Sequence, residues 1–171
     1  MLSFDIRATG SQAAQVEGSI SPDDPVWEEG DLRPLEPLQV HARLSAAGGG
    51  RFYLSGSMSA PLEMECRRCL TTVRAEVNEP IQSVFAPVGD EDASDPDVFT
   101  FDPNAQELDL RPALRELWLL AVPRFVLCQE ACKGLCPRCG KDLNTGACDC
   151  PPMQEVDSRW DALRKAAKSH S

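Results

Sequence analysis

The sequence is poor in aromatic residues and in histidine. Aromatic side chains make up 6% of the 171 residues, which implies a core with few large side chains. There are two histidines, His41 and His170. Alternating neighbours place His41 on the polar side of a strand, and His170 is next to the last residue. Neither is a plausible base for a cysteine or serine nucleophile, so we expect no catalytic site and no enzyme.

Long hydrophobic runs are also missing. The longest apolar stretch, Leu117 to Val122, is six residues, whereas a membrane-spanning helix needs about 20. The first seven residues lack the positively charged start, apolar run and cleavage site of a secretory signal peptide. We therefore expect a cytoplasmic protein without a membrane partner.

Positive charge is in short supply. The chain has 17 basic and 27 acidic side chains, a formal net charge of −10. Non-specific nucleic-acid binding depends on lysine and arginine neutralising phosphates, so a generic basic coat is excluded and no DNA partner is expected. Residues 89–110 carry eight acidic side chains and no basic ones. Within them, Gly89 to Asp97 reads as a solvated loop, because its glycine and acidic spacing does not fit an EF-hand.

Hydrophobic residues are nevertheless 42% of the chain, and their pattern favours strands in the first half. Residues 39–44 and 51–58 alternate polar with apolar around Gly48 to Gly50, which predicts a hairpin. Residues 71–85 predict another strand, with Pro80 at an edge or a break. A short strand is expected over residues 98–101. The segment from Ile20 to Pro37 reads as a loop.

Two helices are expected in the second half. Apolar side chains recur at helical spacing from Leu110 to Ala121, with Asp109 as the N-cap and Pro123 as the stop. A second short helix is expected over residues 158–168. The fold class is α+β: an antiparallel β-sheet or partial barrel in the N-terminal half, one core helix, and a C-terminal zinc-binding segment. The expected division is residues 1–127 and 128–171, together forming one compact unit.

Eight cysteines are the most informative feature of the sequence. They are Cys66, Cys69, Cys128, Cys132, Cys136, Cys139, Cys148 and Cys150. In a reducing compartment, such a set indicates metal ligands or redox centres rather than a disulfide framework. Two C-x-x-C pairs stand out, and the second is followed by Gly140. A glycine there can adopt positive φ and let backbone N–H groups point at the sulfurs, as in a zinc knuckle.

Zinc prefers four ligands in a closed structural site, so eight thiolates suit two ions. Proximity along the chain puts the last four cysteines in one site and leaves Cys66 and Cys69 to meet Cys128 and Cys132. A rival division joins the four cysteines from Cys128 to Cys139. A single zinc ion or free thiols are further alternatives. A thioredoxin-type redox pair is disfavoured because neither C-x-x-C is followed by a helical pattern.

Basic side chains lie beside these cysteines. They are Arg67, Arg68, Arg138 and Lys141, with Lys133 nearby. A zinc ion with four thiolates carries a formal charge of about −2, which these cations would offset. The same side chains are the candidates for contact with RNA phosphates, and both roles stay open here.

The order of these motifs resembles a known family. It runs from Cys66-Arg67-Arg68-Cys69-Leu70 through an acidic region and Leu108-Asp109-Leu110 to Cys132-Lys133-Gly134-Leu135-Cys136-Pro137-Arg138-Cys139-Gly140-Lys141-Asp142-Leu143-Asn144 and Cys148-Asp149-Cys150. It is similar to the YceD family of large ribosomal RNA subunit accumulation proteins over about residues 38–168. The resemblance implies a bacterial-type protein that promotes processing or accumulation of large-subunit ribosomal RNA. It supplies no catalytic residue.

The resemblance thus implies a non-enzymatic ribosome biogenesis factor, and the cysteine pattern predicts structural zinc. Its expected partner is large-subunit ribosomal RNA or a precursor ribosomal particle, reached directly or through a ribosomal protein. One alternative is a thiol-redox or metal-sensing protein, which would show fast-reacting thiols. Another is a protein–protein adaptor in which the acidic loop attracts a basic partner.

Overall fold

The computed structural model describes residues 2–6 and 13–151. Seven strands and one helix make up the described part of the chain. The elements are β1 (Ser3–Asp5), β2 (Ala14–Ile20), β3 (Leu38–Gly48), β4 (Arg51–Glu65), β5 (Thr72–Pro87), β6 (Val98–Phe101), β7 (Glu107–Asp109) and α1 (Arg111–Ala121). The α+β class predicted from the sequence is confirmed.

The main sheet has five strands in the order β2-β3-β4-β5-β6. The first four are antiparallel, and the short β6 runs parallel to β5. Strands β2 and β6 are the two edges, so the sheet is open and the predicted partial barrel is wrong. Closure would need a ladder between these edges, and β6 has only four residues, all paired with β5. Strands β1 and β7 form a separate two-stranded sheet.

The predicted hairpin is the centre of this sheet. Strands β3 and β4 pair with Leu44 opposite Leu54, and both side chains are fully buried. The turn is made by Gly48, Gly49 and Gly50, all at positive φ, which costs glycine little. Farther along β4, Gly56 lies opposite Ala42, and an added Cβ would overlap the β3 backbone.

At Pro80, strand β5 has a neighbouring strand on one side only. It lies inside β5 opposite Ser57, and β5 continues without a break to Pro87. Strand β6 joins β5 only from Val84 onward. Proline has no N–H to donate, so it is tolerated at a point where one side of the strand is unpaired.

Helix α1 closes one side of the core. Leu110, rather than Asp109, is its N-cap, although the Asp109 carboxylate still accepts a hydrogen bond from the Arg111 N–H at 3.0 Å. The helix ends at Ala121, before the predicted stop. Trp118 is completely buried, and its indole N–H donates to the Leu32 carbonyl at 2.7 Å.

An ion pair fixes the same loop to the helix. Arg115 of α1 binds both carboxylate oxygens of Asp31, at 2.7 and 2.9 Å. The loop between β2 and β3 therefore has a defined position on the helix, and the core spans the main sheet, the small sheet and α1. The helix expected over residues 158–168 lies outside the described residues. No helix in the described ranges is long and apolar enough to cross a membrane.

Candidate metal centres

The first cysteine set lies where β4 ends and β5 begins. Cys66 and Cys69 meet Cys128 and Cys132, and the four Sγ atoms lie within 4.8 Å of one another. The Sγ–Sγ distance is 3.8 Å between Cys66 and Cys132 and 3.5 Å between Cys69 and Cys128. These distances are too long for disulfides, which need about 2.05 Å. They approach the edge of a tetrahedron of ligands about 2.3 Å from zinc, which is about 3.8 Å.

The turn that presents the first pair is a strained knuckle. The Leu70 N–H donates to the Cys66 carbonyl at 2.9 Å, and the Cys66 N–H donates to Thr71 at 2.9 Å. Leu70 adopts φ of 59°, and it is the one non-glycine at positive φ among the described residues. This conformation costs an ordinary residue about 1–2 kcal/mol. The strain is tolerated because the turn aims both thiols and backbone N–H groups at one point.

The second set repeats the same turn with the expected glycine. Cys136, Cys139, Cys148 and Cys150 also have Sγ atoms within 4.8 Å of one another. The Gly140 N–H donates to the Cys136 carbonyl at 2.9 Å, and Gly140 has φ of 71°. The positive φ predicted for Gly140 is confirmed. The structure thus groups the cysteines as the favoured division does, and it keeps Cys128 and Cys132 apart from Cys136 and Cys139.

The thiols within each set have sharply different acidities. Burial alone would raise the pKa of Cys66, yet that pKa is lowered to about 6 because backbone N–H groups of Arg68, Cys128 and Cys69 point at the sulfur. Hydrogen bonding to Cys69, together with burial, raises the pKa of Cys128 to about 12. Thiolates this close together cannot all ionise without a cation between them.

The second set also contains one thiol with a lowered pKa and one with a raised pKa. Backbone N–H groups of Cys139 and Arg138 lower the pKa of Cys136 to about 6. Hydrogen bonding to Cys139, together with burial, raises the pKa of Cys150 to about 12. A divalent cation would remove the conflict in both sets by stabilising all four thiolates. The donor sets therefore fit soft, tetrahedral metal ligation, with zinc the best match.

Asn144 connects the two sets. It lies in the second set's loop, yet its amide nitrogen is 3.4 Å from the Cys132 Sγ of the first set. Its Oδ1 accepts the backbone N–H of Lys133 at 2.8 Å. Asp142 accepts both the backbone N–H and the side-chain amide of Asn144, at 2.8 and 2.7 Å. The side chain is thus fixed by one loop and placed against a sulfur of the other.

Backbone contacts join the sets as well. The Leu135 N–H donates to the Arg68 carbonyl at 3.0 Å, and the Leu143 N–H donates to the Gly134 carbonyl at 2.9 Å. Gly134 is at φ of 75°, and a Cβ there would lie 3.0 Å from the Arg68 carbonyl oxygen. The two cysteine sets are therefore packed directly against each other through the backbone of this segment.

Neither C-x-x-C pair has the setting of a thioredoxin-type redox centre. Cys69 is followed by the turn into β5, and Cys139 is followed by a turn at Gly140. A helix N-terminus after the first cysteine is what lowers the thiol pKa in that class of protein. Here α1, the helix of the described region, begins 17 residues before Cys128 in sequence and carries no cysteine.

The four basic residues singled out in the sequence differ in their surroundings. The Arg68 guanidinium donates to the Cys132 carbonyl at 2.8 Å, and the Lys141 ammonium donates to the Ala147 carbonyl at 2.7 Å. Both therefore brace the cysteine loops. Arg67 lies over the Phe125 ring, 5.0 Å from its centroid, and Arg138 is exposed beside the second set.

Comparison with known proteins is consistent with this arrangement. The family profile described as large ribosomal RNA subunit accumulation protein YceD matches residues 54–165, a stretch that contains all eight cysteines. The chain belongs to the YceD family. The matched stretch begins in β4 and includes β5, α1 and both cysteine sets.

Relatives of this YceD-family chain include plant and mycobacterial proteins. A chloroplastic YCED homolog 1 of Arabidopsis thaliana, named a large ribosomal RNA subunit accumulation protein, is 36% identical over 67 residues, which are 39% of this chain and 21% of that protein. An uncharacterized protein of Mycobacterium bovis is 29% identical over 129 residues, 74% of this chain and 60% of its own length. The chain thus spans less than two thirds of either relative. No solved structure matches.

Sequence reasoning missed two features of this YceD-family site. Asn144 belongs to the family motif, but its Asn-Thr-Gly context indicates no more than a turn. Arg124 and Phe125 follow directly after Pro123, where the chain leaves α1, and carry no sequence motif. Their position beside Arg67 depends on how the Cys66 turn packs against that segment, and no local pattern encodes this.

Proposed function

We propose that this protein is a non-enzymatic, cytoplasmic factor of ribosome biogenesis that acts on large-subunit ribosomal RNA or its precursor particle. The observation that carries the proposal is membership of the YceD family, whose description names large ribosomal RNA subunit accumulation. Each cysteine set holds one structural zinc ion, and residues 1–127 and 128–171 act as one compact unit. No catalytic residue is assigned.

The distribution of unpaired cations supports contact with RNA. Among the described residues, Arg51, Arg74, Arg111 and Arg115 each form ion pairs with carboxylates on the β and helical part of the molecule. The cations around the cysteines, by contrast, have no carboxylate of a described residue within 4.0 Å; they are Arg67, Arg68, Arg124, Lys133, Arg138 and Lys141. Arg33 and Arg43 are the other described cations without an ion pair. Even with about −2 on each zinc site, the cysteine end is less negative than the rest of a chain of net charge −10, so phosphates meet less repulsion there.

The acidic loop has a structural use that weakens the adaptor alternative. Asp90 binds Arg51 through both carboxylate oxygens, at 3.0 and 2.7 Å, and Asp92 lies 2.7 Å from the same guanidinium. These bonds hold the loop against the start of β4. A basic partner would have to displace Arg51 from Asp90 and Asp92, or use the other carboxylates of the loop.

Cosedimentation tests the proposed function. The full-length protein should sediment with large-subunit precursors at low salt, and its depletion should reduce large-subunit ribosomal RNA. The doubly substituted Arg67→Glu, Arg138→Glu variant should lose sedimentation. Arg43→Glu is the matched control, because Arg43 is an exposed arginine without a carboxylate partner among the described residues but lies on β3. Normal ribosomal RNA after depletion, with no sedimentation of the wild type, would refute the proposal.

Elemental analysis tests the metal assignment separately. We expect about two zinc ions per purified chain, because eight thiolates form two tetrahedral sets. Cobalt substitution should give the strong absorption of thiolate-to-metal charge transfer. A content near one ion would contradict the two-site assignment. Two fast-reacting thiols in the metal-loaded protein would instead favour redox chemistry, since closed zinc sites protect their sulfurs.

A further inference from the structure

A groove lined by apolar side chains and two arginines lies beside the first cysteine set. It runs between the end of α1, the segment after Pro123, the loop that carries Leu32, and the end of β4. We call it the arginine groove, and its main side chains are Leu32, Met64, Leu120, Phe125, Arg67 and Arg124. Leu120 is 76% exposed, Phe125 74% and Leu32 49%. Exposed large apolar side chains gathered in one concave place mark interaction sites more often than scattered ones do.

The walls of the groove are held in place by specific contacts. The Arg67 N–H donates to the Val126 carbonyl at 2.9 Å, which fixes the Cys66 turn against the segment after α1. The buried Trp118 indole fixes the backbone of Leu32 by donating a hydrogen bond to the Leu32 carbonyl. Arg67 covers one face of the Phe125 ring at 5.0 Å. The groove is therefore formed before a partner arrives, which reduces the entropy cost of binding.

The charged side chains of the groove lining are all positive. Its lining contains Arg67 and Arg124 and no acidic side chain, and neither arginine has an ion-pair partner among the described residues. Glu63 and Glu65 face a neighbouring depression that shares Leu32 and Met64 with the groove. A partner segment would therefore place its carboxylates at Arg67 and Arg124 and keep them away from the depression that holds Glu63 and Glu65.

The lining chemistry favours a protein segment over RNA. Apart from the arginines, the lining has no side chain with a hydrogen-bonding group, whereas reading an unpaired base requires hydrogen bonds to its edges. One face of the single aromatic ring is already covered by Arg67, and aliphatic walls offer no stacking platform. The lining instead combines leucine, methionine, phenylalanine and arginine, and it lacks lysine and acidic residues. This composition is typical of the core of a protein–protein interface.

We propose that the arginine groove docks a partner protein through a short segment in which large apolar side chains are flanked by aspartate or glutamate. The apolar side chains enter between Leu120, Phe125 and Leu32, and the acidic ones meet Arg67 and Arg124. Arg67 and Arg124 also belong to the cations of the proposed RNA contact, so the two sites adjoin; Arg138 lies outside the groove lining and distinguishes them. Basic ribosomal proteins are unsuitable occupants of a groove with two unpaired arginines.

A displayed library of random 12-residue peptides, selected on the zinc-loaded full-length protein, tests this proposal. Selected peptides should combine large apolar residues with aspartate or glutamate, and their affinity should fall as salt is raised. Leu120→Glu should weaken binding of the best synthetic peptide by about tenfold or more. Arg124→Glu should weaken it similarly. Leu35→Glu is the control, because Leu35 is an exposed leucine outside the groove.

Several outcomes would overturn the proposal. They are an absence of enriched peptides, peptides that are basic, and peptides that bind the Leu120→Glu variant as tightly as the wild type. A labelled 12-nucleotide single-stranded RNA that binds the wild type and is lost in Leu120→Glu would assign the groove to RNA instead. Loss of ribosomal cosedimentation in Arg138→Glu with unchanged peptide binding would separate this site from the proposed function.

Discussion

At the scale of single residues, the two C-x-x-C turns differ at one informative position. The residue after the second cysteine is at positive φ in both, 59° at Leu70 and 71° at Gly140. Glycine adopts this conformation freely, whereas leucine does so at a cost. The two turns therefore have the same backbone conformation, and only the first is strained. Contacts of the surrounding structure compensate for that strain.

Replacing Leu70 with glycine should stabilise the zinc-loaded protein. Leu70 is 56% exposed, so little apolar burial is lost, while relief of strain contributes about 1 kcal/mol after the entropy of glycine is subtracted. The expected rise in Tm is about 2–4 °C. Leu70→Ala is the matched control, because alanine shortens the side chain and keeps the strain. Equal Tm values for the two variants would show that the positive φ carries no cost.

Asn144 is the residue through which one cysteine set reaches the other. Its amide points at the Cys132 Sγ at 3.4 Å while Asp142 and Lys133 hold it in position. Hydrogen bonds to ligating atoms orient them and raise metal affinity. The second loop thus contributes to the first site without supplying a ligand.

Asn144→Ala should weaken zinc binding by the first set by about tenfold or more. Competition with a chelator gives the two dissociation constants. Thr145→Ala is the control, because Thr145 donates only to the Asp142 carbonyl in the same loop. If both variants leave both constants unchanged, the contact between Asn144 and Cys132 does not couple the sets.

At the scale of elements, the loop between β2 and β3 depends on α1 for its position. The Asp31 carboxylate, 9% exposed, is held by Arg115 on the helix. The hydrogen bond from Arg115 lowers the pKa of Asp31 below its usual value, against the opposing effect of burial. Because the folded pKa is lower than the unfolded one, the pair stabilises the protein fully above about pH 4 and loses that effect as the pH falls through the lowered value.

Asp31→Asn should therefore destabilise the protein at pH 7, and the difference from wild type should shrink as the pH falls below about 4. Urea unfolding of both proteins across this range measures the difference. Acid release of metal affects both proteins, so it largely cancels in the comparison. Asp23→Asn is the control, since Asp23 is exposed and has no ion pair in the described part of the molecule. A difference that stays constant with pH would show that the Asp31 charge is not the stabilising feature.

At the scale of the whole molecule, the two cysteine sets have unequal roles. Cys69 and Cys128 are separated by 58 residues, whereas Cys139 and Cys148 are separated by eight. Closing the longer loop costs roughly 2 kcal/mol more chain entropy. The first set therefore joins the β4–β5 turn to the segment after α1, and metal bound there stabilises the fold as a whole. The second set closes its own segment.

Cys69→Ser should loosen the entire domain and lower the Tm by several degrees. Cys148→Ser should mainly increase hydrogen exchange near residues 133–150 and leave the β3–β4 hairpin protected. Hydrogen exchange along the chain of both variants distinguishes these patterns, and each variant serves as the control for the other. Equal and local effects would mean that the first set does not join the two parts.

Much of this architecture is encoded locally. Alternation of polar and apolar residues predicts β3 and most of β4 and β5, because a half-buried strand imposes a period of two. A short strand is also expected at β6. Helical spacing and proline predict α1, with an error of one residue at its N-cap. The sequence pattern does not predict strands β1, β2 and β7. Strands β1 and β7 have three residues each, and β2 carries glycine and polar residues in its middle. Spacing also gave the favoured division of the cysteines.

The contacts between these elements were decided by tertiary structure alone. The sheet stays open because the short β6 adds to β5 in parallel and never reaches β2, a pairing that no local pattern specifies. Asn144 meets Cys132, and Phe125 meets Arg67, across 12 and 58 positions of sequence. The sequence by itself determined which residues can bind metal, because ligand chemistry belongs to the side chain. How the two cysteine sets contact each other, and which exposed side chains form a groove, depend on chain packing over long separations.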